Sequence, residues 1–225
     1  MEAKEDTKFH EVNCASFLTR SKDNQIAAKT LRSALDKLLG MWSWKEGEGG
    51  EWYGPETRPG DELSSHMHFT ETCFVQFMIS WQPLLDAVAG LIWSFLLLSG
   101  MESQQRFTSM FSLVRFAEKN AWPDTYEKMR EILVKGLKWY ITDARVLRNQ
   151  LVHNERFVAI VPRLNSPGTA IELKKIGDED THERFALEEY VSTLYKNYLL
   201  FAVGTAEAAE AIGGRLNTTI LWKEQ

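Results

Sequence analysis

Along most of this chain apolar residues recur at three- and four-residue steps, the spacing that gives an α-helix one hydrophobic face. From about Lys22 to Trp42, the residues Ile26, Leu31, Leu35, Leu38 and Leu39 keep close to that period and predict a first helix. A second long helix is expected from about Leu63 to Ser99, bent or interrupted near Pro83, because proline has no amide hydrogen to donate inside a helix. A third covers about Glu102 to Lys119 and ends before Trp122-Pro123. A fourth begins at Pro123-Asp124, with Glu127 in its first turn facing the positive end of the helix dipole, and runs to about Val152.

Two stretches break the helical period. Residues 43–62 contain Gly47, Gly49, Gly50, Gly54, Pro55, Pro59 and Gly60 and read as a long loop. Trp44, Trp52 and Tyr53 are its candidate anchors, with a lid or a base-stacking surface as the functional alternatives. After the fourth helix, Phe157 to Val161 and Ala170 to Leu173 have strand-like texture, with a turn at Asn165-Ser166-Pro167-Gly168 between them. They predict a β-hairpin appendage over 156–176, closed by Gly177 to Asp180. A last helix is expected from about Arg184 to Ile212, stopping at Gly213-Gly214, and Thr218 to Trp222 is a candidate extra strand. The expected fold is mainly α: a helical bundle with a small β-hairpin inserted before the last long helix, in a single domain over 1–225.

Composition narrows the class. A hydrophobic fraction of 44% supplies enough apolar surface for a core and excludes global disorder. Eight Trp and twelve Phe exceed what a core of this size needs, which points to an interface as well. The net charge of −5 argues against a broad nucleic-acid coat. Between Lys138 and Arg163, however, five cations (Lys138, Arg145, Arg148, Arg156, Arg163) face two anions (Asp143, Glu155), a local balance of +3.

Cys14 and Cys73 cannot make a disulfide framework, and no basic-then-apolar leader opens the chain, so a reducing, cytoplasmic setting is expected. Leu84 to Met101 approaches the length of a membrane span. Asp86 inside it, Pro83 before it and the lack of close basic flanks favour a buried core helix and no membrane contact.

The fourth helix carries the chemistry. On a wheel of about 100° per residue, Met129, Leu133, Leu137, Tyr140, Ala144, Leu147 and Leu151 fall in a stripe roughly 80° wide, the core face. Arg145, Asn149 and His153 follow one another at four-residue steps and stack along a ridge outside that stripe, with Arg148 beside it. Val152 interrupts this polar ridge with an apolar side chain, as a packed helix or a symmetric partner would require. Cations near a helix C-terminus are also favoured by the dipole alone, so a helical scaffold with a stabilised helix end is the plain alternative.

The string from Asp143 to Glu155 (Asp-Ala-Arg-Val-Leu-Arg-Asn-Gln-Leu-Val-His-Asn-Glu) resembles the signature of the HEPN superfamily, the higher eukaryote and prokaryote nucleotide-binding domains. In that pattern an Arg, a polar residue directly after it and a His a few residues on stand at the end of a long helix. Arg148, Asn149 and His153 match at the short spacing. The motif covers six residues and the compatible helical frame about Leu63 to Ile212. The hairpin and the long loop at 43–62 lie outside the pattern.

The resemblance implies a homodimeric, metal-independent endoribonuclease with facing motifs and no cofactor. RNA supplies the nucleophile, its 2′-hydroxyl. His153 is then the acid–base group, Arg148 the cationic fork for phosphate oxygens, and Asn149 a group that orients His153 or binds the scissile phosphate. Arg145 and Arg156 are candidate RNA-phosphate contacts. The same resemblance admits a non-catalytic module binding a nucleotide or a protein, and a place in toxin–antitoxin or defence systems, with an antitoxin or other protein as partner. His66 and His68 with Glu71 could suggest zinc, but the two-residue spacing divides the histidines between helix faces. No metal is expected. No P-loop, nucleophile elbow or dinucleotide fingerprint is present.

Overall fold

The computed structural model describes residues 2–42, 45–50, 52–53, 58–103, 105–153, 156–163, 167–175 and 182–213. The chain is mainly helical, with a small three-stranded antiparallel sheet before its last long helix. It forms two compact units. The first comprises Met1–Asn24, Ser80–Arg145 and Tyr195–Gln225, and the second Gln25–Ile79 and Val146–Leu194.

Helix α1 (Glu2–Met41) starts far ahead of the expected Lys22. Phe17, Asn24, Leu31 and Leu38 are buried at seven-residue steps, two helical turns apart, and Asn13 is buried one turn before Phe17. Two asparagines on the inward stripe hide its period from an apolar count. Both are satisfied: Asn13 Nδ2 donates to the Phe9 carbonyl at 2.8 Å, and Asn24 Nδ2 donates to Ser80 Oγ at 2.8 Å. Ile26, expected on the inner face, lies off the stripe and is 54% exposed.

In 43–62 the backbone makes a short ladder instead of a featureless loop. Strands β1 (Lys45–Glu46) and β2 (Trp52–Tyr53) pair antiparallel, and Gly50 closes the intervening turn at φ +78°, a conformation that favours glycine. The side chains proposed as loop anchors, Trp44, Trp52 and Tyr53, lie outside the described residues. Helix α2 (Glu62–Leu98) is capped by Asp61, whose carboxylate accepts the Ser64 amide at 2.6 Å. Backbone hydrogen bonds from Arg58 and Ser64 hold that carboxyl below the usual carboxylate range. The helix runs through Pro83 without ending, because Trp81, Leu84 and Leu85 around it are buried and packing outweighs the lost amide.

Among the described residues, α2 is the one helix long and apolar enough to cross a bilayer, and 78% of its apolar window is buried within the protein. That burial is what a core helix shows.

In the first unit, residues 101–103 and 105–109 carry no regular secondary structure, and α3 is shorter than expected (Met110–Lys119). Trp93 Nε1 donates to the Gln105 carbonyl at 2.9 Å, and Phe107 stands edge-on to the Trp93 ring with centroids 4.7 Å apart. These contacts tie Gln105 and Phe107 to Trp93 on α2. A second aromatic group surrounds the buried Trp81, which meets Trp139, Tyr195 and Tyr198. Burial pushes the Tyr195 hydroxyl up to about 12 and the Tyr198 hydroxyl further in the same direction. The proline-opened helix is α4 (Asp124–Gly136), ending at a turn at Leu137.

In the second unit, β3 (Arg156–Pro162) pairs with β4 (Thr169–Lys175) as the hairpin predicts, with Ile160 opposite Ile171. The third strand, β5 (His182–Ala186), pairs with β4 and takes residues expected to start the last helix. Arg184 explains the change: it pairs with Glu172 at 3.2 Å across β4 and donates to the Pro162 carbonyl. Helix α6 (Leu187–Ala211) then ends at Gly213, φ +87°, as expected. The proposed strand at Thr218 to Trp222 lies outside the described residues.

Candidate functional site

The expected continuous helix from Asp124 to Val152 is broken twice. After the turn at Leu137, residues Tyr140–Ala144 form a π-helical turn, and α5 (Arg145–Val152) follows. The Arg145 amide bonds back to the Tyr140 carbonyl, five residues earlier. Such insertions into a helix recur at functional sites. The core stripe survives both breaks. Met129, Leu133, Leu137, Tyr140, Ala144, Leu147 and Leu151 are all buried, because a four-residue step nearly closes a π turn and keeps Tyr140 and Ala144 on one side.

Arg148, Asn149 and His153 belong to the second unit. Arg148 is half-buried, and its Nη1 donates to Asn149 Oδ1 at 3.0 Å. Its Nε is buried without a hydrogen-bond partner among the described residues, so part of the guanidinium's donor capacity is unspent. Asn149 thus orients Arg148 in the structure, where its sequence position also allowed it to orient His153. The His153 amide bonds to the Asn149 carbonyl at 2.9 Å, which continues the helical path one step beyond α5. The His153 side chain is exposed. Next to it, Val152 is 38% exposed, so the apolar residue that marks this ridge is only partly covered.

Arg145 belongs to the first unit, as the last residue of its Ser80–Arg145 segment. Its guanidinium carbon stands 4.0 Å from the centroid of the Phe111 ring on α3, and Arg115 approaches the same ring at 5.3 Å. Arg145 Nε is buried and has no hydrogen-bond partner among the described residues. Sequence reasoning did not single out Phe111 or Arg115. The one trace available is their four-residue spacing, which puts them on one face of α3. Arg156 opens β3, and its side chain lies outside the described residues.

The competing histidines are accounted for by local contacts. One His66 nitrogen, Nε2, lies 3.1 Å from the Ala34 carbonyl, and His68 Nδ1 lies 2.8 Å from Glu71 Oε2. No group of three or more His, Cys, Asp or Glu side chains that could hold a metal occurs among the described residues. Cys14 and Cys73 are free, and burial raises both thiols above their ordinary value, the reverse of what a nucleophile needs.

A groove of about 480 Å³ lies in the first unit between α4 and α6, lined by Ile132, Trp139, Leu200 and Phe201 with Glu131 and Lys135 at its rim. A Cβ at Gly136 or Gly204 would meet Phe201 or Ile132 at ordinary van der Waals distance, so the wall of the groove has room for a methyl group at either position. None of the sequence-predicted site residues lines it.

No family model, no curated protein and no solved structure matches this chain.

Proposed function

We propose that the chain is a metal-independent endoribonuclease of the HEPN type, working in the cytoplasm as a homodimer. The observation that carries the reading is the Arg148–Asn149 hydrogen bond at the end of α5, with the exposed His153 one helical turn beyond Asn149. The residue types suit the reaction. The RNA 2′-oxygen attacks the adjacent phosphorus, the bond to the 5′-oxygen breaks, and the products carry a 2′,3′-cyclic phosphate and a 5′-hydroxyl. His153 takes the 2′-hydroxyl proton or returns one to the leaving oxygen. Arg148, held by Asn149, offers its remaining terminal N–H groups to the phosphate oxygens as charge builds on them. Arg145 and Arg156 serve as further phosphate contacts. A second copy would set another His153 opposite the first, so that one acts as base and the other as acid. The half-exposed Val152 suits burial in that contact.

The test is cleavage of single-stranded RNA by purified protein in the presence of a chelator, with the ends of the products identified. Cleavage that leaves cyclic phosphate ends and falls about 10²-fold or more in His153→Ala and Arg148→Ala supports the reading. Cleavage unchanged in both variants sinks it. Saturable nucleotide or protein binding that depends on Arg148, without turnover, would assign the same residues to a non-catalytic regulatory module.

A further inference from the structure

We propose that Arg115 and Arg145, gathered on the ring of Phe111, form a clamp for the phosphodiester backbone of a single RNA strand. The proposal rests on the ribonuclease reading for the identity of the ligand, and on the first unit alone for its geometry. Two guanidinium groups lie 4.0 and 5.3 Å from one ring centroid, so they cannot be further apart than those two distances together. Like charges brought this close repel. The negative face of the phenyl ring offsets part of that repulsion and fixes each guanidinium in place. An anion between or beside them offsets the remainder.

The donor inventory points the same way. Arg145 has no ion pair and an unpartnered, buried Nε among the described residues. The described acid beside Arg115 is Glu118, at 3.3 Å, one turn along α3 and itself exposed. A surface pair of this kind is weak and easily exchanged for a better anion. Phosphate oxygens fit the planar fork of arginine, which offers two parallel N–H groups where lysine offers a point charge. With no base-reading group identified, the clamp is a positioning contact. It should therefore be indifferent to sequence and sensitive to salt.

The experiment uses the full chain and a fluorescein-labelled 2′-O-methyl oligoribonucleotide, which lacks the nucleophile and so reports binding without cleavage. Fluorescence anisotropy across a salt series is measured for wild type, Arg115→Ala, Arg115→Lys, Arg145→Ala and Glu118→Gln, with each variant's folding checked by circular dichroism. Arg115→Ala is expected to weaken binding about five- to tenfold and to lower the salt slope by about 0.7, the value for one single-strand phosphate contact. Arg115→Lys should fall between it and wild type, and Glu118→Gln should tighten binding. The gain in Glu118→Gln is a readout that a merely structural role for Arg115 would not move. Wild-type affinity and salt slope in both Arg115→Ala and Arg145→Ala would overturn the clamp, as would no salt-dependent binding by wild type. Cleavage of unmethylated RNA is followed in parallel. Cleavage that needs His153 but not Arg115 removes the clamp and leaves the ribonuclease reading. Arg115-dependent binding without cleavage does the reverse.

Discussion

The carboxylate of Asp86, in the middle of the most apolar helix of the chain, accepts the backbone N–H of Met110 at 2.8 Å. Met110 is the first residue of α3, and Ser109 before it makes no capping bond with its side chain. A residue twenty-four positions away therefore does the work of an N-cap. Asp86→Ala should destabilise the protein by about 1–2 kcal/mol, as cap removal does, and Asp86→Asn, which keeps an acceptor, should lose less. The denaturant midpoint at unchanged slope is the measurement. Equal losses in the two variants would deny the capping role.

Gly90 and Asn13 form a second close relationship, in which α2 admits the Asn13 amide because residue 90 has no side chain. A Cβ there would overlap the Asn13 amide oxygen and stand 2.8 Å from its Cγ. Asn13 is buried and tied to the Phe9 carbonyl, so it has little room to yield. Gly90→Ala is expected to cost about 1–3 kcal/mol, the range for overpacking. Shortening the partner should recover much of it, so a double-mutant cycle with Asn13→Ala should show strong positive coupling. Additive effects would mean that the two residues do not compete for one space.

Glu71 protects the open edge of the small sheet. Among the described residues β3 pairs with β4 on one side only, and on the other the Ile160 amide donates to Glu71 Oε1 at 3.1 Å. Ile160 is fully buried, so removing the acceptor leaves a dry, unpaired N–H. We expect Glu71→Ala to lose about 1–3 kcal/mol and to expose 156–176 to limited proteolysis, while Glu71→Gln stays near wild type. A protease pattern that does not change in Glu71→Ala would contradict this.

The pH dependence near neutrality should carry a signature of His10. Its ring sits beside Ser94 Oγ at 2.8 Å and Cys14 Sγ at 3.5 Å. Burial lowers its pKa below the ordinary 6.5, against the opposing pull of Glu11. The folded state therefore resists protonation more than the unfolded chain does. Stability from this group is present above pH 6.5 and is lost as pH falls from there through the folded-state value. In His10→Gln, the loss of stability between about pH 7 and pH 5.5 should be shallower than in wild type. Identical slopes would remove His10 as the cause.

The core stripe from Met129 to Leu151 was legible in full, as were the start of α4 at Pro123-Asp124, the stop of α6 at Gly213 and the hairpin of β3 and β4. Each depends on residues within a few positions of one another. The first half of α1 was not legible, because Asn13 and Asn24 occupy buried positions where an apolar count sees gaps. Nor was the absence of helix at 105–109, where Gln105 and Phe107 are held by the Trp93 indole. Residues 184–186 read as the start of a helix until Arg184 finds Glu172 on a neighbouring strand.

For the candidate site the division is similar. That Arg148, Asn149 and His153 follow one another along one helix end is readable from their spacing and the 3.6-residue turn alone. The convergence of Arg145 and Arg115 on Phe111 and the capping of α3 by Asp86 emerge only once the helices have packed. A helix repeats because each turn is bonded to the one before it, and this local rule leaves a periodic trace in the residues. Which face meets which distant residue depends on how whole elements pack, and that leaves no period to read.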